Sequence, residues 1–135
     1  MLICGSATDK MENKNSKNKI KLKDRTYQYS IKIIDFLDNL PRDTSVQIIS
    51  KQLLRSATSI GANIIEAQAS SSKKDFTKYF TYSLKSANES VYWLSLLKDA
   101  KKINNDQIEY LLNETKELAK ILGSSILTLK GKNKF

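Results

Sequence analysis

The chain has 135 residues, 40% of them hydrophobic and 8% aromatic, enough for one domain with a real core. Lys and Arg number 23 against 14 Asp and Glu, a net charge of +9, and no run approaches the ~18 apolar residues that would span a membrane. Histidine is absent and Cys4 is the only cysteine, which excludes internal disulfides, histidine acid–base chemistry and the usual zinc sites; one Pro and four Gly argue against the many turns of an all-β fold.

The opening Met1-Leu2-Ile3-Cys4-Gly5 has neither a basic n-region nor a full apolar h-region, so a cytoplasmic protein is expected. Residues 1–25 read as a flexible basic arm. Lys10, Lys14, Lys17, Lys19, Lys21, Lys23 and Arg25 lie among Asn and Ser, and only Ile20 and Leu22 are apolar after Met11. Such a composition buries too little surface to repay ordering. Met11 offers an alternative start.

From residue 26 the pattern turns helical. Tyr27, Ile31, Ile34 and Leu37 recur at four, three and three, which predicts a first helix with one apolar stripe, ended by Leu40-Pro41. Asp43 or Thr44 then caps a second helix. Val46, Ile49, Leu53, Ala57, Ile60, Ile64 and Ala67 give it the cleanest periodicity in the chain. Gly61 inside it costs about 1 kcal/mol against Ala, a sign either of a close neighbour or of simple tolerance.

Ser72-Lys73-Lys74-Asp75 resembles a capping box and opens a third helix. Its inner stripe is Phe76, Phe80, Leu84, Ala87, Val91 and Leu94, and it closes near Lys98–Lys102. Asn104-Asn105-Asp106 caps a fourth helix. That helix carries Ile108, Leu111, Thr115, Leu118, Leu122, Ser125 and Leu129 in a heptad-like seam, and Lys130-Gly131 stops it. Short loops make neighbours antiparallel. The expected fold is therefore all-α, an up-down-up-down four-helix bundle over residues 26–130, with a basic tail at 131–135.

A second aromatic stripe runs beside the inner stripe of helix 3: Tyr79, Tyr82, Trp93 and Leu97, with Ser86 and Ser90 between. Tyr29 and Phe36 likewise lie off the stripe expected for helix 1. The combined arc on helix 3 is near 200°, twice what a core-facing helix needs. This predicts self-association. The plainer alternative is that the rings cover gaps within one subunit. On helix 2, Arg55, Ser59, Ala62 and Glu66 share about 60° of arc, with Arg55 and Glu66 about 16 Å apart along the axis. They form either a solvated face or a contact in which Arg55 and Glu66 pair across subunits.

Arg55-Ser56-Ala57-Thr58-Ser59-Ile60-Gly61-Ala62-Asn63-Ile64-Ile65-Glu66-Ala67-Gln68, Ser72-Lys73-Lys74-Asp75-Phe76 and Ala87-Asn88-Glu89-Ser90-Val91-Tyr92-Trp93-Leu94 together resemble the bacterial four-helix bundle protein family. The first members of that family were found encoded by intervening sequences in 23S rRNA genes. The resemblance runs from about Arg25 to Lys130; Gly61-Ala62 stands where many members have Pro-Ser. It implies an antiparallel bundle, a ring-like homopentamer and no established enzyme activity. The family is also similar in fold to the accessory proteins of diversity-generating retroelements, basic pentamers that bind nucleic acid and a reverse transcriptase. Ile121-Leu122-Gly123-Ser124-Ser125-Ile126 resembles their last helix.

Lys74, Lys78, Lys85 and Tyr92 line up opposite the inner stripe of helix 3, with Thr81 beside them. Cations with an aromatic suit phosphate contact and base stacking, although a solvated lysine face is the plainer reading. Five copies would carry a formal charge of about +45, five times +9, a field that attracts polyanions. Lys17, Lys19, Lys21, Lys23 and Arg25 would add contacts from the arm, and Lys130, Lys132 and Lys134 form a second basic group. Nothing resembles a base-reading module, so low sequence specificity is expected. No nucleophile elbow, phosphate loop or paired-carboxylate motif is present, and Cys4 sits in the arm. The expected function is non-catalytic nucleic-acid binding by a homo-oligomer that needs neither cofactor nor metal. The alternative is a structural adaptor for a protein such as a reverse transcriptase.

Overall fold

The computed structural model describes residues 20–131, and four helices make up most of them: α1 (Leu22–Asp38), α2 (Thr44–Ala69), α3 (Lys73–Ala100) and α4 (Asp106–Leu129). Each helix packs on its neighbours in sequence, and α4 closes back on α1, so the architecture is an all-α four-helix bundle. Cross-helix contacts run in opposite directions along paired helices, Ser56 to Ser90 and Ile60 to Ser83, and Arg25 to Glu114 and Asp35 to Gln107, which makes these pairs antiparallel.

Local chemistry sets the helix ends. The Ser72 hydroxyl accepts from the Asp75 amide at 3.0 Å, and the Asn105 side-chain carbonyl accepts from the Ile108 amide at 3.0 Å, each satisfying one orphan donor of a first turn. Asp43 precedes α2 without capping it; its carboxylate takes Lys101 Nζ at 2.8 Å instead, tying the α1–α2 turn to the end of α3. Gly131, at φ +72°, ends α4 in the left-handed region that glycine enters freely.

Leu22 is already helical, so α1 starts four residues earlier than the sequence reading places it. Asp24 complements the helix dipole in the first turn, and Arg25 is anchored on α4. Lys23 and Arg25 thus belong to the bundle, and Lys21 is the residue before its first turn. Lys10, Lys14, Lys17, Lys19 and Cys4 lie outside the described residues, as do Lys132 and Lys134.

The core follows the expected stripe on α2, with Ile49 half-buried, but only half of the stripe expected on α3: Phe76, Leu84 and Val91 are half-buried, and Ser83, Ser90 and Leu97 are buried in their place. Val46, Leu53, Ala57, Ile60, Ile64 and Ala67 are buried, as are Phe80, Ala87 and Leu94. On α4 the buried line ends at Ile126 rather than Ser125 and Leu129. An ideal helix drifts about 20° per heptad against a strict 3.5 repeat, and over three heptads the stripe slips by a residue.

On α1 the expected face is the wrong one. Thr26, Tyr29, Ile33 and Phe36 are buried, while Tyr27, Ile31 and Ile34 stand 55%, 45% and 46% exposed. Both stripes have helical spacing. What separates them is charge: Asp24, Asp35 and Asp38 lie on the hemisphere away from Tyr29 and Ile33, so burying that side would desolvate them. The buried stripe also satisfies its polar atoms. Thr115 gives its proton to the Leu111 carbonyl at 2.6 Å, so the Tyr29 hydroxyl donates to Thr115 Oγ1, also at 2.6 Å.

Gly61 owes its place to α1. A Cβ built there would stand 3.1 Å from Thr26 Oγ1 and 3.3 Å from Thr26 Cβ. Thr26 in turn bonds to the Leu22 and Lys23 carbonyls at 3.0 and 3.1 Å. The close-neighbour reading of this glycine is the right one.

Candidate nucleic-acid interface

The outer line of α3 lies opposite Ala87 and Leu94, on the side of the helix that no other helix covers. Lys74, Lys78, Lys85 and Tyr92 are all exposed there, Tyr92 by 58%. Lys74 and Lys85 have no ion-pair partner among the described residues. Lys78 stands 3.6 Å from Asp75 in an exposed i,i+3 pair and 4.8 Å from the Tyr79 ring centroid. Thr81 spends its hydroxyl proton on the Thr77 carbonyl at 2.9 Å. Tyr92 is held edge-on by Trp93, centroid to centroid 5.0 Å, leaving its outer face open.

Trp93 is itself fixed. Its indole N–H donates to Glu89 Oε2 at 3.2 Å, and Arg55 Nη2 donates to the same oxygen at 3.0 Å while reaching Gln52 Oε1 at 2.8 Å. Arg55 therefore has one partner within the chain, Glu89 on α3, and its side chain remains 62% exposed beside it. Register explains it: the antiparallel packing of α2 on α3 brings Glu89 level with Arg55. Ser59 donates to the Arg55 carbonyl at 2.7 Å within its own helix. Glu66 is exposed and has no ion-pair partner among the described residues.

The residues expected at a self-association surface divide. Tyr82 is 44% exposed and meets Tyr79 edge to face at 5.8 Å, and Tyr79 and Trp93 are half-buried. Leu97 is fully buried within the chain, so its assignment to an oligomer interface is corrected. It falls at the turn where α3 approaches α4 and where the Ile103 amide bonds to the Leu97 carbonyl at 3.2 Å.

Arg25 also departs from its expected role as an arm cation. Its Nε and Nη2 donate to the two carboxylate oxygens of Glu114 at 2.7 and 2.8 Å, a bidentate fork on a partly buried pair. The bond to Glu114 holds the guanidinium pKa above its ordinary value, and burial opposes that only in part. A groove of about 730 Å³ opens beside this pair between α1 and α4, lined also by Lys32, Tyr110 and Ile121. Lys32 lies 5.4 Å from the Tyr110 ring centroid. With Arg25 saturated by Glu114, Lys32 is the cation that this groove leaves without an ion-pair partner among the described residues.

Among the described residues no cluster of acidic, histidine or cysteine side chains is disposed to hold a metal, and no helix is long and apolar enough to cross a membrane. The geometry offers cations and aromatic faces. The sequence reading missed the Arg25–Glu114 fork and the outward apolar stripe of α1. The placement of charge on α1 carries the signal for that stripe; nothing local marks the fork, which joins residues 89 positions apart.

The comparisons with known proteins agree with this architecture. The 23S rRNA-intervening sequence protein family matches residues 18–124, and the chain belongs to that family. Among solved structures it is similar to a Bacteroides thetaiotaomicron protein of unknown function from the S23 ribosomal protein family, at 38% identity and a TM-score of 0.72, over 78% of this chain and 98% of that one. No curated protein matches.

Proposed function

We propose that the chain is a non-catalytic, homo-oligomeric nucleic-acid-binding bundle of low sequence specificity. The observation that carries this reading is the outer line of α3, where Lys74 and Lys85 stand without an ion-pair partner among the described residues beside an open Tyr92 ring, in a chain of charge +9. Three cations, with Lys78 only loosely paired to Asp75, and a stacking platform on one helix suit a single strand better than a duplex groove. Repeating that line in every copy of an oligomer multiplies the field and the number of phosphates engaged at once. The resemblance to pentameric relatives supports five as the copy number.

Titration of a fluorescent single-stranded RNA, and of DNA of the same sequence, tests the reading. Affinity should fall steeply and log-linearly between about 50 and 200 mM salt, with little difference between unrelated sequences. No binding at 50 mM, or binding indifferent to salt, would overturn it.

A further inference from the structure

The cations of α4 share a face with the outer line of α3. Glu109 of α4 reaches Lys98 of α3, Oε2 to Nζ 2.6 Å, which marks the side of α4 that turns toward its neighbour. Lys116, Lys120 and Leu127 lie within about 20° of Glu109 on the helical wheel, so they flank the same α3–α4 seam. Phe76 and Phe80 share a groove with Ser125 and Leu129. That antiparallel register sets Lys120 level with Lys85, Lys116 within a turn of Tyr92, and Lys130 beside the first turn of α3.

No carboxylate among the described residues neutralises this second row. Lys116, Lys120 and Lys130 are exposed and have no ion-pair partner there. The acids that could have served them from α4 are turned elsewhere. Glu109 is taken by Lys98 and Glu114 by Arg25, and Glu117 stands on the far flank, near enough to Arg25 to help hold its charge. Asp99 and Asp106 sit with Glu109 at the other end of the seam, and Asp75 stands by Lys78.

Between the two rows the seam is open. Gly123 lies one turn beyond Lys120, and a Cβ there would meet nothing within 4 Å. Packed helix axes stand about 8–10 Å apart, so a polynucleotide backbone in this furrow is within reach of lysines on both sides. Tyr92, 58% exposed, and Leu127, 46% exposed, offer bases an apolar surface among the cations. From Tyr92 to Lys74 the track runs about 27 Å, a length suited to a few nucleotides of extended strand. The exposed Tyr27, Ile31, Ile34, Leu54 and Ile65 lie on the opposite flank, between α1 and α2, and Tyr82 lies on the α2 side of α3. Copies that associate through those surfaces leave the α3–α4 face free.

We infer that the nucleic acid lies in the α3–α4 seam, its phosphates held by Lys116, Lys120 and Lys130 from one wall and by Lys74 and Lys85 from the other. The inference rests on the nucleic-acid reading and deepens it: the site is a two-walled furrow for the backbone of one strand, not a single line on α3.

The test runs a salt series with a short fluorescent single-stranded RNA on three full-length proteins: the native chain, Lys116→Gln with Lys120→Gln, and Arg42→Gln with Lys51→Gln, which removes the same charge from the α1–α2 side. All four side chains are exposed and without an ion-pair partner among the described residues, so both variants should keep native helicity. The seam variant should make the log–log slope less negative by about 1.4, about 0.7 for each phosphate lost, and the other should leave it native. In a Cys4→Ser background, a photo-cross-linker on Asn88→Cys in the seam should capture the RNA, and one on Lys51→Cys should not. Equal slopes in the two variants, or capture from position 51 and not from 88, would overturn the inference while steep salt dependence of the native chain left the nucleic-acid reading standing. Native binding that is absent or indifferent to salt would overturn both.

Discussion

The Tyr29 hydroxyl meets Thr115 Oγ1 at 2.6 Å in the middle of the bundle, joining α1 to α4 where apolar contact alone would leave the pair free to slide. Burial is the main force on this phenol and pushes its pKa well above the ordinary value of 10.0, with the bond to Thr115 opposing it in part. In the unfolded chain Tyr29 ionises near pH 10; in the fold it keeps its proton to higher pH. Its contribution is therefore fully present below about pH 10 and is lost as pH rises beyond it. Tyr29→Phe should cost about 1–2 kcal/mol at pH 7 in urea unfolding and should make the alkaline loss of stability shallower. An unchanged alkaline profile in the variant would show that the hydroxyl is not buried.

The Arg25–Glu114 fork acts on the fold rather than on a ligand. Arg25→Ala should lower stability by about 2 kcal/mol, and Arg25→Lys should recover only part of this, because an ammonium cannot make both bonds. The salt slope of RNA binding should stay at the native value in both variants. A changed slope at native stability would return Arg25 to the binding surface.

Gly61 and Thr26 fix the distance between α1 and α2. Gly61→Ala gains about 1 kcal/mol of helix propensity but sets a methyl 3.1 Å from Thr26 Oγ1, so its net effect should be small. Gly61→Val has no such offset and should cost about 2–3 kcal/mol by thermal or chemical unfolding. A tolerated valine would mean that α1 moves away from α2 at little cost.

Much of the bundle was legible because α2 and α4 each carry one dominant stripe and the caps of α3 and α4 are side chains with a known habit, at Ser72 and Asn105; on α3 two neighbouring stripes left the buried line a residue off, at Ser83, Ser90 and Leu97. On α1, Tyr27-Ile31-Ile34 and Tyr29-Ile33-Phe36 have equal claim by spacing, and the partner that decides between them, Thr115, is 86 residues away. The lysine line of α3 was legible for the opposite reason: exposed residues answer to their own helix alone. Arg55 illustrates the limit. Its face was correctly read as pointing off the core, but its partner depends on the register of α2 against α3, which no local pattern encodes.

The most direct check on the central claim compares the native chain with a Lys74→Gln, Lys78→Gln, Lys85→Gln variant in single-stranded RNA binding across a salt series. Three lost phosphate contacts should make the log–log slope less negative by about 2 while helicity and unfolding stay native. An unchanged slope in a folded variant would contradict the account, because the outer line of α3 would then not be where the polyanion lies.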